Sequence, residues 1–315
     1  MSDSSYPPVI AIFGPTGVGK TACAVDLALA LSGEVVNADS RYLYRHLNIG
    51  VAKPTHEERR GVRHHLIDIF EPHEFITVAQ VQHLAYAAID EISERARIAI
   101  LTGGTPLYMN AIVEGWRIPK IEPDWSFREQ IAARIEQEGL GAVAADLMNI
   151  DPVAFERSAQ NARRVIRALE IHHATGIPMS TLEGKESPPY RFLKIALTRN
   201  RADHYLQLDT RIEDQIRAGL LDEVRGLLDA GLRGDEPAFS AIGYRQLVPV
   251  VSGEQSLADA IAQIKHDTHR YVRHQMTWLR RTPDLHWFDT GIGGWQSRVK
   301  ALARDHLLST GPSES

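Results

Sequence analysis

A glycine-rich segment near the start of the chain has the residue types of a phosphate-binding loop. Residues 14–21 read Gly-Pro-Thr-Gly-Val-Gly-Lys-Thr, directly after the apolar run 9–13. Glycines let backbone N–H groups surround phosphate oxygens, and the N-terminus of a following helix adds positive potential. On this interpretation Lys20 neutralises the terminal phosphates and the Thr21 hydroxyl helps to hold Mg²⁺. The motif, a P-loop, predicts a site for a diphosphate or triphosphate but does not decide the reaction.

Asp39 is the next residue that could do chemistry, because it ends the strand-like run 34–38. It could be a second carboxylate near Mg²⁺ or a general base that faces the phosphate site. It could equally be a turn or helix-capping residue. The residues alone leave all three interpretations open.

Residues 103–106, Gly-Gly-Thr-Pro, follow another strand-like run, 98–101. Thr105 suits a helix N-cap, and Pro106 suits the first helical position. The two glycines would also permit close approach of the backbone to a ligand. Capping alone and ligand binding are therefore both compatible with this segment.

Two segments predicted to be helical carry basic residues at helical spacing. Arg163 and Arg167 lie one turn apart, opposite an apolar side. A second stripe recurs at steps of three and four: Arg270, Arg273, His274, Thr277 and Arg281. Such cations with nearby aromatics suit a nucleic-acid backbone, although a solvated basic face is the alternative.

The pattern of elements predicts how these residues are positioned. Up to about residue 117, strand-like runs (9–13, 34–38, 66–69, 98–102) alternate with helical ones (20–31, 77–94, 106–114). That rhythm is typical of a parallel sheet, whose ligands gather at the carboxyl ends of strands. Helical patterning then fills 124–185, a strand is predicted at 192–197, and helices at 202–230, 241–251 and 256–281.

The predicted fold class is therefore α/β, a P-loop NTPase-like parallel sheet core with an inserted all-helical module. We assign residues 8–118 to the first part of the core, 119–190 to the insertion and 191–307 to the remainder with the C-terminal helices. A net charge of −5 gives no global support to nucleic-acid binding, so any such site must be local. The single cysteine excludes an intramolecular disulfide. We expect a cytoplasmic protein because neither a signal peptide nor a membrane-spanning run is evident.

Taken together, the motifs resemble those of the tRNA dimethylallyltransferases. The matching segments occur in the family's order and span residues 14 to 280: the P-loop, Asp39-Ser40, 52–55, His64–Asp68, Gly103–Tyr108, Arg167–Glu170, Gly219-Leu220 with Glu223-Val224, Gly243–Gln246 and Gln275–Arg280. A P-loop alone is shared by many unrelated proteins, whereas this ordered set is specific.

The resemblance implies transfer of a dimethylallyl group from dimethylallyl diphosphate to N6 of adenosine 37 of tRNA, beside the anticodon. It implies that the P-loop (Gly14, Pro15, Thr16, Gly17, Val18, Gly19, Lys20, Thr21) holds a leaving diphosphate with Mg²⁺ at Thr21. It further implies catalytic roles for Asp39 as base, Thr105 and Arg211. The implied tRNA-contacting set is Asp39, Ser40, Arg41, Tyr42, Thr105, Arg128, Arg163, Arg164, Arg167, Gly243, Tyr244, Arg245, Gln246, Arg270 and Arg273. We expect a monomer that acts on the anticodon stem-loop, away from membranes.

The chain departs from the family at several of these positions. Tyr42 stands where glutamine is usual, and Arg273-His274 where a Lys-Arg pair is usual. Gln215 replaces a common methionine, and Val51 a common threonine. Three other functions remain as alternatives: prenylation of free adenine nucleotide, phosphorylation of a small molecule, and nucleotide-dependent RNA binding without turnover.

Overall fold

The computed structural model describes residues 6–308, which contain eight strands and fourteen α-helices. The strands are β1 (Pro8–Phe13), β2 (Gly33–Asn37), β3 (His64–His65), β4 (Ile98–Thr102), β5 (Trp116–Arg117), β6 (Gly184–Lys185), β7 (Arg191–Thr198) and β8 (His286–Asp289). The helices are α1 (Lys20–Leu31), α2 (His56–Arg59), α3 (Val78–Glu94), α4 (Pro106–Val113), α5 (Trp125–Glu138), α6 (Leu140–Ile150), α7 (Pro152–Ser158), α8 (Ala162–Thr175), α9 (Met179–Leu182), α10 (Arg201–Arg217), α11 (Leu220–Asp229), α12 (Tyr244–Val251), α13 (Leu257–Leu279) and α14 (Trp295–Leu308).

Six parallel strands form the central sheet in the order β3-β2-β4-β1-β7-β8. The strand β1 lies inside the sheet, and its alternate side chains enter two different core layers. Val9, Ala11 and Phe13 pack with α3 and α4, whereas Ile10 and Ile12 pack with α1 and α14. Burial on both faces explains why β1 is a continuous apolar run. The predicted α/β class with a parallel sheet is confirmed.

Cys23 lies in the second of these layers, on the first turns of α1. Burial raises the pKa of its thiol to about 12, which keeps the sulfur protonated at neutral pH. This residue therefore acts as a small apolar core side chain.

Two predicted elements differ from the structure, for backbone reasons. The strand predicted at 66–69 is the short β3 at His64–His65, because Leu66 and Asp68 have positive φ angles and leave the extended conformation. The helix predicted at 202–230 is broken between α10 and α11 at Gly219, which has φ +99°. Neither β8 nor α14 was predicted from the sequence.

The chain divides into two compact units. One combines the residues up to Val113 with those from Pro189 onward, and the other is Glu114–Pro188. The second unit therefore begins at residue 114 rather than 119, and it ends at 188 rather than 190. It holds α5 to α9 around its own apolar cluster, but it also contains an antiparallel pair, β5 with β6. The prediction that this unit is all-helical is wrong to that extent.

Among residues 6–308, no helix is both long and apolar enough to cross a membrane.

Candidate active site

The P-loop connects β1 to α1 at the carboxyl edge of the sheet. Gly19 has φ +98° and precedes α1, and no described side chain caps the N-terminus of that helix. Gly17 has φ +76°, and a Cβ there would lie 2.5 Å from Leu208 Cδ2, so the backbone conformation favours glycine at this position. The first N–H groups of α1 are thus open to an anion.

Both backbone groups of Thr16 are hydrogen-bonded to side chains. Its N–H donates to Gln275 Oε1 at 3.0 Å, and its carbonyl accepts from His204 Nε2 at 2.8 Å. Burial lowers the pKa of His204, an effect that the bond to Thr16 only partly opposes, so the imidazole is neutral at pH 7. Helices α10 and α13 therefore brace the same loop residue.

Asp39 is oriented by two backbone donors. Its Oδ1 accepts from Arg41 N at 2.9 Å, and its Oδ2 accepts from Gly104 N at 3.0 Å. The two glycines after β4 make this approach possible. A Cβ on Gly103 would lie 2.3 Å from the Ala38 carbonyl, and one on Gly104 would lie 2.5 Å from Asp39 Oδ2. The segment 103–104 is therefore glycine because it packs directly against the Asp39 loop.

Thr105 and Ser40 link the same two loops. Ser40 N donates to Thr105 Oγ1 at 3.0 Å, and the Thr105 hydroxyl donates to Ser40 Oγ at 3.1 Å. The hydroxyl of Thr105 thus bonds across to Ser40, an arrangement that simple helix capping would not require. The ends of β2 and β4 form one rigid polar surface.

Two cavities open on this surface, and we name them by their most distinctive residues. The P-loop cavity, of about 570 Å³, is lined by Thr16, Gly17, Gly19, Lys20 and Thr21 together with Tyr42 and residues 48–49 and 51–55. The Thr105 cavity, of about 590 Å³, is lined by Ser40, Arg41 and Thr105 with apolar side chains of α10, α11 and α13 and the loop before α12. Both cavities share four lining residues: Thr16, Asp39, Val51 and Arg211. Asp39 and Arg211 therefore stand where the two cavities meet.

Lys20 and Arg211 supply positive charge to the P-loop cavity. Lys20 Nζ donates to the Pro15 carbonyl at 2.8 Å. Burial lowers the pKa of Lys20 to about 8; Asp39 opposes this shift and Arg211 reinforces it. Within the part of the chain that the structure describes, the Arg211 guanidinium has no hydrogen bond or ion pair. Two cations held close together in this way favour a multiply charged anion between them.

Tyr42 lies in the P-loop cavity and does not line the Thr105 cavity. Its hydroxyl donates to the Ala52 carbonyl at 2.7 Å, and burial raises its pKa to about 12. Tyr42 therefore lies beside Thr21 in the P-loop cavity. Gln215, another departure from the family's usual residues, has a structural role here. Its Nε2 donates to the carbonyls of Ile49 and Gly50 at 2.6 and 3.0 Å.

The segment before and in α12 divides into buried and accessible residues. Tyr244 is 0% exposed and donates to Glu223, and Gln246 is 2% exposed and donates to Asp267. Their side chains are engaged inside the protein, so direct contact of RNA with them is not supported. Gly243 and Arg245 do line the Thr105 cavity.

The basic stripe on α13 is partly neutralised. Arg270 and Arg245 both pair with Asp267, at 3.2 and 2.6 Å. Arg273 is exposed, and its Nη1 lies 3.5 Å from the Tyr205 hydroxyl. Arg245 and Arg270 line the Thr105 cavity, whereas Arg273 does not. Cations at this edge suit contacts to a nucleic-acid backbone.

The four arginines predicted for RNA in the second unit have two different environments. Arg128 and Arg167 both bind the buried carboxylate of Glu170, and Arg167 also donates to the carbonyls of Pro119 and Ile121. Burial alone would raise the pKa of Glu170, but the bonds from Arg128 and Arg167 hold it below its usual value. By contrast, Arg163 and Arg164 are exposed, and neither side chain is ion-paired to any residue in 6–308.

Sequence reasoning missed several residues that shape these cavities. Gln275, Tyr271 and His204 hold the P-loop and the 103–105 segment by hydrogen bonds. Gln275 stands inside a recognised motif, which was the available signal, but its partner atoms are far away along the chain. His204 carried no signal in its local sequence.

Comparisons with known proteins identify the family of this chain. Residues 42–282 match the model of the family described as IPP transferase. A tRNA dimethylallyltransferase of Thermomicrobium roseum is 51% identical, covering 93% of this chain and 89% of that protein. One from Roseiflexus castenholzii is 42% identical, covering 96% and 99%. The crystal structure of a tRNA isopentenylpyrophosphate transferase from Bacillus halodurans is 38% identical, with a TM-score of 0.73 over 96% of this chain and 97% of that one. The resemblance inferred from the motifs is confirmed.

Proposed function

Because this chain belongs to the IPP transferase family, we propose that it transfers a dimethylallyl group from dimethylallyl diphosphate to N6 of adenosine 37 in tRNA. The observation that carries the proposal is the position of Asp39 and Arg211 in the lining shared by the two cavities. A carboxylate between a phosphate-binding cavity and a second cavity suits the transfer of a group from one ligand to another. The P-loop cavity takes the donor, and the Thr105 cavity takes the adenine.

The donor is held through its diphosphate. The open N–H groups at the start of α1 and the charges of Lys20 and Arg211 stabilise negative charge that grows on the departing oxygen. Thr21 lines this cavity with a hydroxyl oxygen, a hard ligand that fits Mg²⁺ when the ion shares phosphate oxygens. Bound there, Mg²⁺ would supply Lewis-acid neutralisation of the diphosphate.

Asp39 acts on the acceptor. N6 of adenine forms a bond to C1 of the dimethylallyl group while the C1–O bond breaks and its electron pair leaves with diphosphate. The N6 proton passes to the Asp39 carboxylate, since the exocyclic amine is a poor nucleophile unless a base removes its proton. Gly104 N and Arg41 N keep both carboxylate oxygens in fixed positions for this step.

The adenine must leave its stack to reach Asp39, so we include base flipping in the proposal. Apolar side chains such as Leu208, Ile212 and Ile264 offer a surface for the flipped base in the Thr105 cavity. Ser40, Arg41 and Thr105 supply polar contacts there. For the RNA backbone we retain Arg163, Arg164, Gly243, Arg245, Arg270 and Arg273.

We further propose that the enzyme works as a cytoplasmic monomer. The residues that line both cavities belong to the unit that contains the sheet.

One assay tests the proposed function. The enzyme is incubated with unmodified tRNA, dimethylallyl diphosphate and Mg²⁺, and nucleosides are analysed for N6-prenylated adenosine at position 37. Prenylation of AMP but not tRNA would support a free-nucleotide enzyme instead. Phosphate transfer from ATP without prenyl transfer would support a kinase, and tight RNA binding without any turnover would support a switch.

A further inference from the structure

Gln275 connects the two loops on which the proposed reaction depends. It lies on α13, is 1% exposed, and is remote in sequence from both loops. We propose that Gln275 is a positioning residue that sets the separation between the diphosphate held by the P-loop and the base Asp39. This inference rests on the function proposed above and adds a determinant of its rate.

The carboxamide of Gln275 uses both of its ends. Its Oε1 accepts from Thr16 N at 3.0 Å, and its Nε2 donates to the Gly104 carbonyl at 2.5 Å. A rotated amide would oppose donor to donor and acceptor to acceptor, so the two contacts fix its orientation. One buried side chain thus ties the P-loop to the end of β4.

The contact continues from Gly104 to the catalytic carboxylate. Gly104 receives Gln275 at its carbonyl and donates its N–H to Asp39 Oδ2 at 3.0 Å. Thr16, at the other end of the amide, lines both cavities. Any change in the Gln275 contacts therefore alters the distance between the departing diphosphate and Asp39. A misplacement of about 1 Å in such a geometry costs roughly 10²-fold in rate.

Tyr271 makes it possible to test the link between the two loops separately from support of Gly104 alone. Its hydroxyl also donates to the Gly104 carbonyl, at 2.9 Å, but it does not bond to the P-loop. Tyr271→Phe removes one donor and leaves the connection through Gln275 intact. Gln275→Met removes the connection itself, with little change in side-chain volume.

The test compares kcat and KM for tRNA prenylation in four proteins: the unaltered enzyme, Gln275→Met, Tyr271→Phe and Gln82→Met. Gln82 is the control, because its Nε2 donates to the Ala111 carbonyl at 2.7 Å outside both cavities. We expect Gln275→Met to lower kcat by roughly 10- to 100-fold, with both KM values within about threefold. Tyr271→Phe should lower kcat less than Gln275→Met does, because the bond between Gln275 and Thr16 remains, and Gln82→Met should keep its kcat.

Gln275→Glu adds a readout that a purely structural role would not produce. When protonated, its carboxyl group has the same donor and acceptor as the amide, whereas the ionised form presents an oxygen to the Gly104 carbonyl. The ratio of variant to unaltered kcat should therefore rise as the pH falls from 8 to 6. Asp39 and Tyr271 bond to Gly104, and His204 bonds to Thr16, the two residues that Gln275 contacts. These titratable groups are present in both proteins, so they largely cancel in the ratio.

Three results would overturn the inference: an unchanged kcat in Gln275→Met, a loss confined to KM or to melting temperature, or a flat pH ratio in Gln275→Glu. The amount of folded enzyme is fixed by circular dichroism and melting curves before each assay. If the unaltered enzyme itself fails to prenylate tRNA, the proposed function fails instead. The two failures are therefore distinguishable.

Discussion

The two cavities share Asp39 and Arg211 but differ in how their positive charge is held. In the P-loop cavity, neither Lys20 nor Arg211 is ion-paired to a described residue, and main-chain N–H groups add to the field. In the Thr105 cavity, Arg245 and Arg270 are both paired with Asp267, and much of the wall is apolar. The first environment suits a compact, highly charged ligand, whereas the second suits a planar, neutral base with charge only at its edge.

The largest effect should come from the carboxylate that the cavities share. Asp39→Ala should lower kcat by about 10³-fold, because a positioned general base contributes on the order of 10² to 10⁴. Binding of tRNA should stay within a few-fold, since the backbone contacts remain. Single-turnover rates and filter binding measure the two quantities. Asp229→Asn, at the exposed end of α11, is the control. Near-normal turnover in Asp39→Ala would show that Asp39 is not the general base.

The next effect tests whether the close packing of the two loops matters. Gly104→Ala places a Cβ 2.5 Å from Asp39 Oδ2, so the carboxylate must move and kcat should fall by about 10²-fold. The matched control is Gly226→Ala in α11, where the new Cβ meets nothing within 4 Å. That control should keep its activity. Equal activity in both variants would show that Asp39 tolerates displacement.

A smaller effect concerns the charge of the P-loop cavity. Lys20 has a pKa of about 8 in the free protein, so it loses its proton, and its attraction for diphosphate, as the pH rises above 8. The KM for dimethylallyl diphosphate should rise up to about tenfold per pH unit above that value. Lys20→Arg should reduce this rise of KM with pH, because arginine stays protonated. A KM that is independent of pH between 7 and 9.5 would contradict the role of Lys20.

The smallest expected effect distinguishes two arginines of the second unit: Arg164, which has no ion pair among residues 6–308, and Arg167, which is paired with Glu170. Arg164→Ala should reduce the slope of log K against log salt by about 0.7 to 0.9 for tRNA binding, the value for one phosphate contact. Arg167→Ala should change that slope less and should lower the melting temperature instead, because it leaves Glu170 with one partner fewer. The reverse pattern would make Arg167 the RNA contact.

Local sequence determined the parts of the fold and site that depend on neighbouring residues. The P-loop, the parallel sheet and the helical character of the insertion were predictable, since spacing and apolar periodicity encode them. The break at Gly219 and the shift of β3 were not, because both depend on positive φ angles at single residues. Terminal elements β8 and α14 were missed because the strand is short and largely exposed and the helix has a weak apolar pattern.

The roles of individual site residues divided along the same line. Asp39 and Thr105 could be nominated from their place after strands, at the edge where ligands gather. The burial of Tyr244 and Gln246 could not be read from the sequence, nor could the pairing of Arg128 and Arg167 with Glu170. Those outcomes depend on partners that the fold brings from distant segments. The family resemblance assigns roles to residues in motifs, but only the packing shows which of their side chains remain accessible.

The burial of Cys23 makes the protein ready for site-selective labelling. It is the single cysteine of the chain, and its thiol lies in the core with a pKa of about 12, so maleimides will react with it slowly. A cysteine introduced at an exposed position, such as Arg163→Cys, would then be the one readily reactive thiol. A fluorophore attached there would report the approach of RNA without any prior removal of natural cysteines.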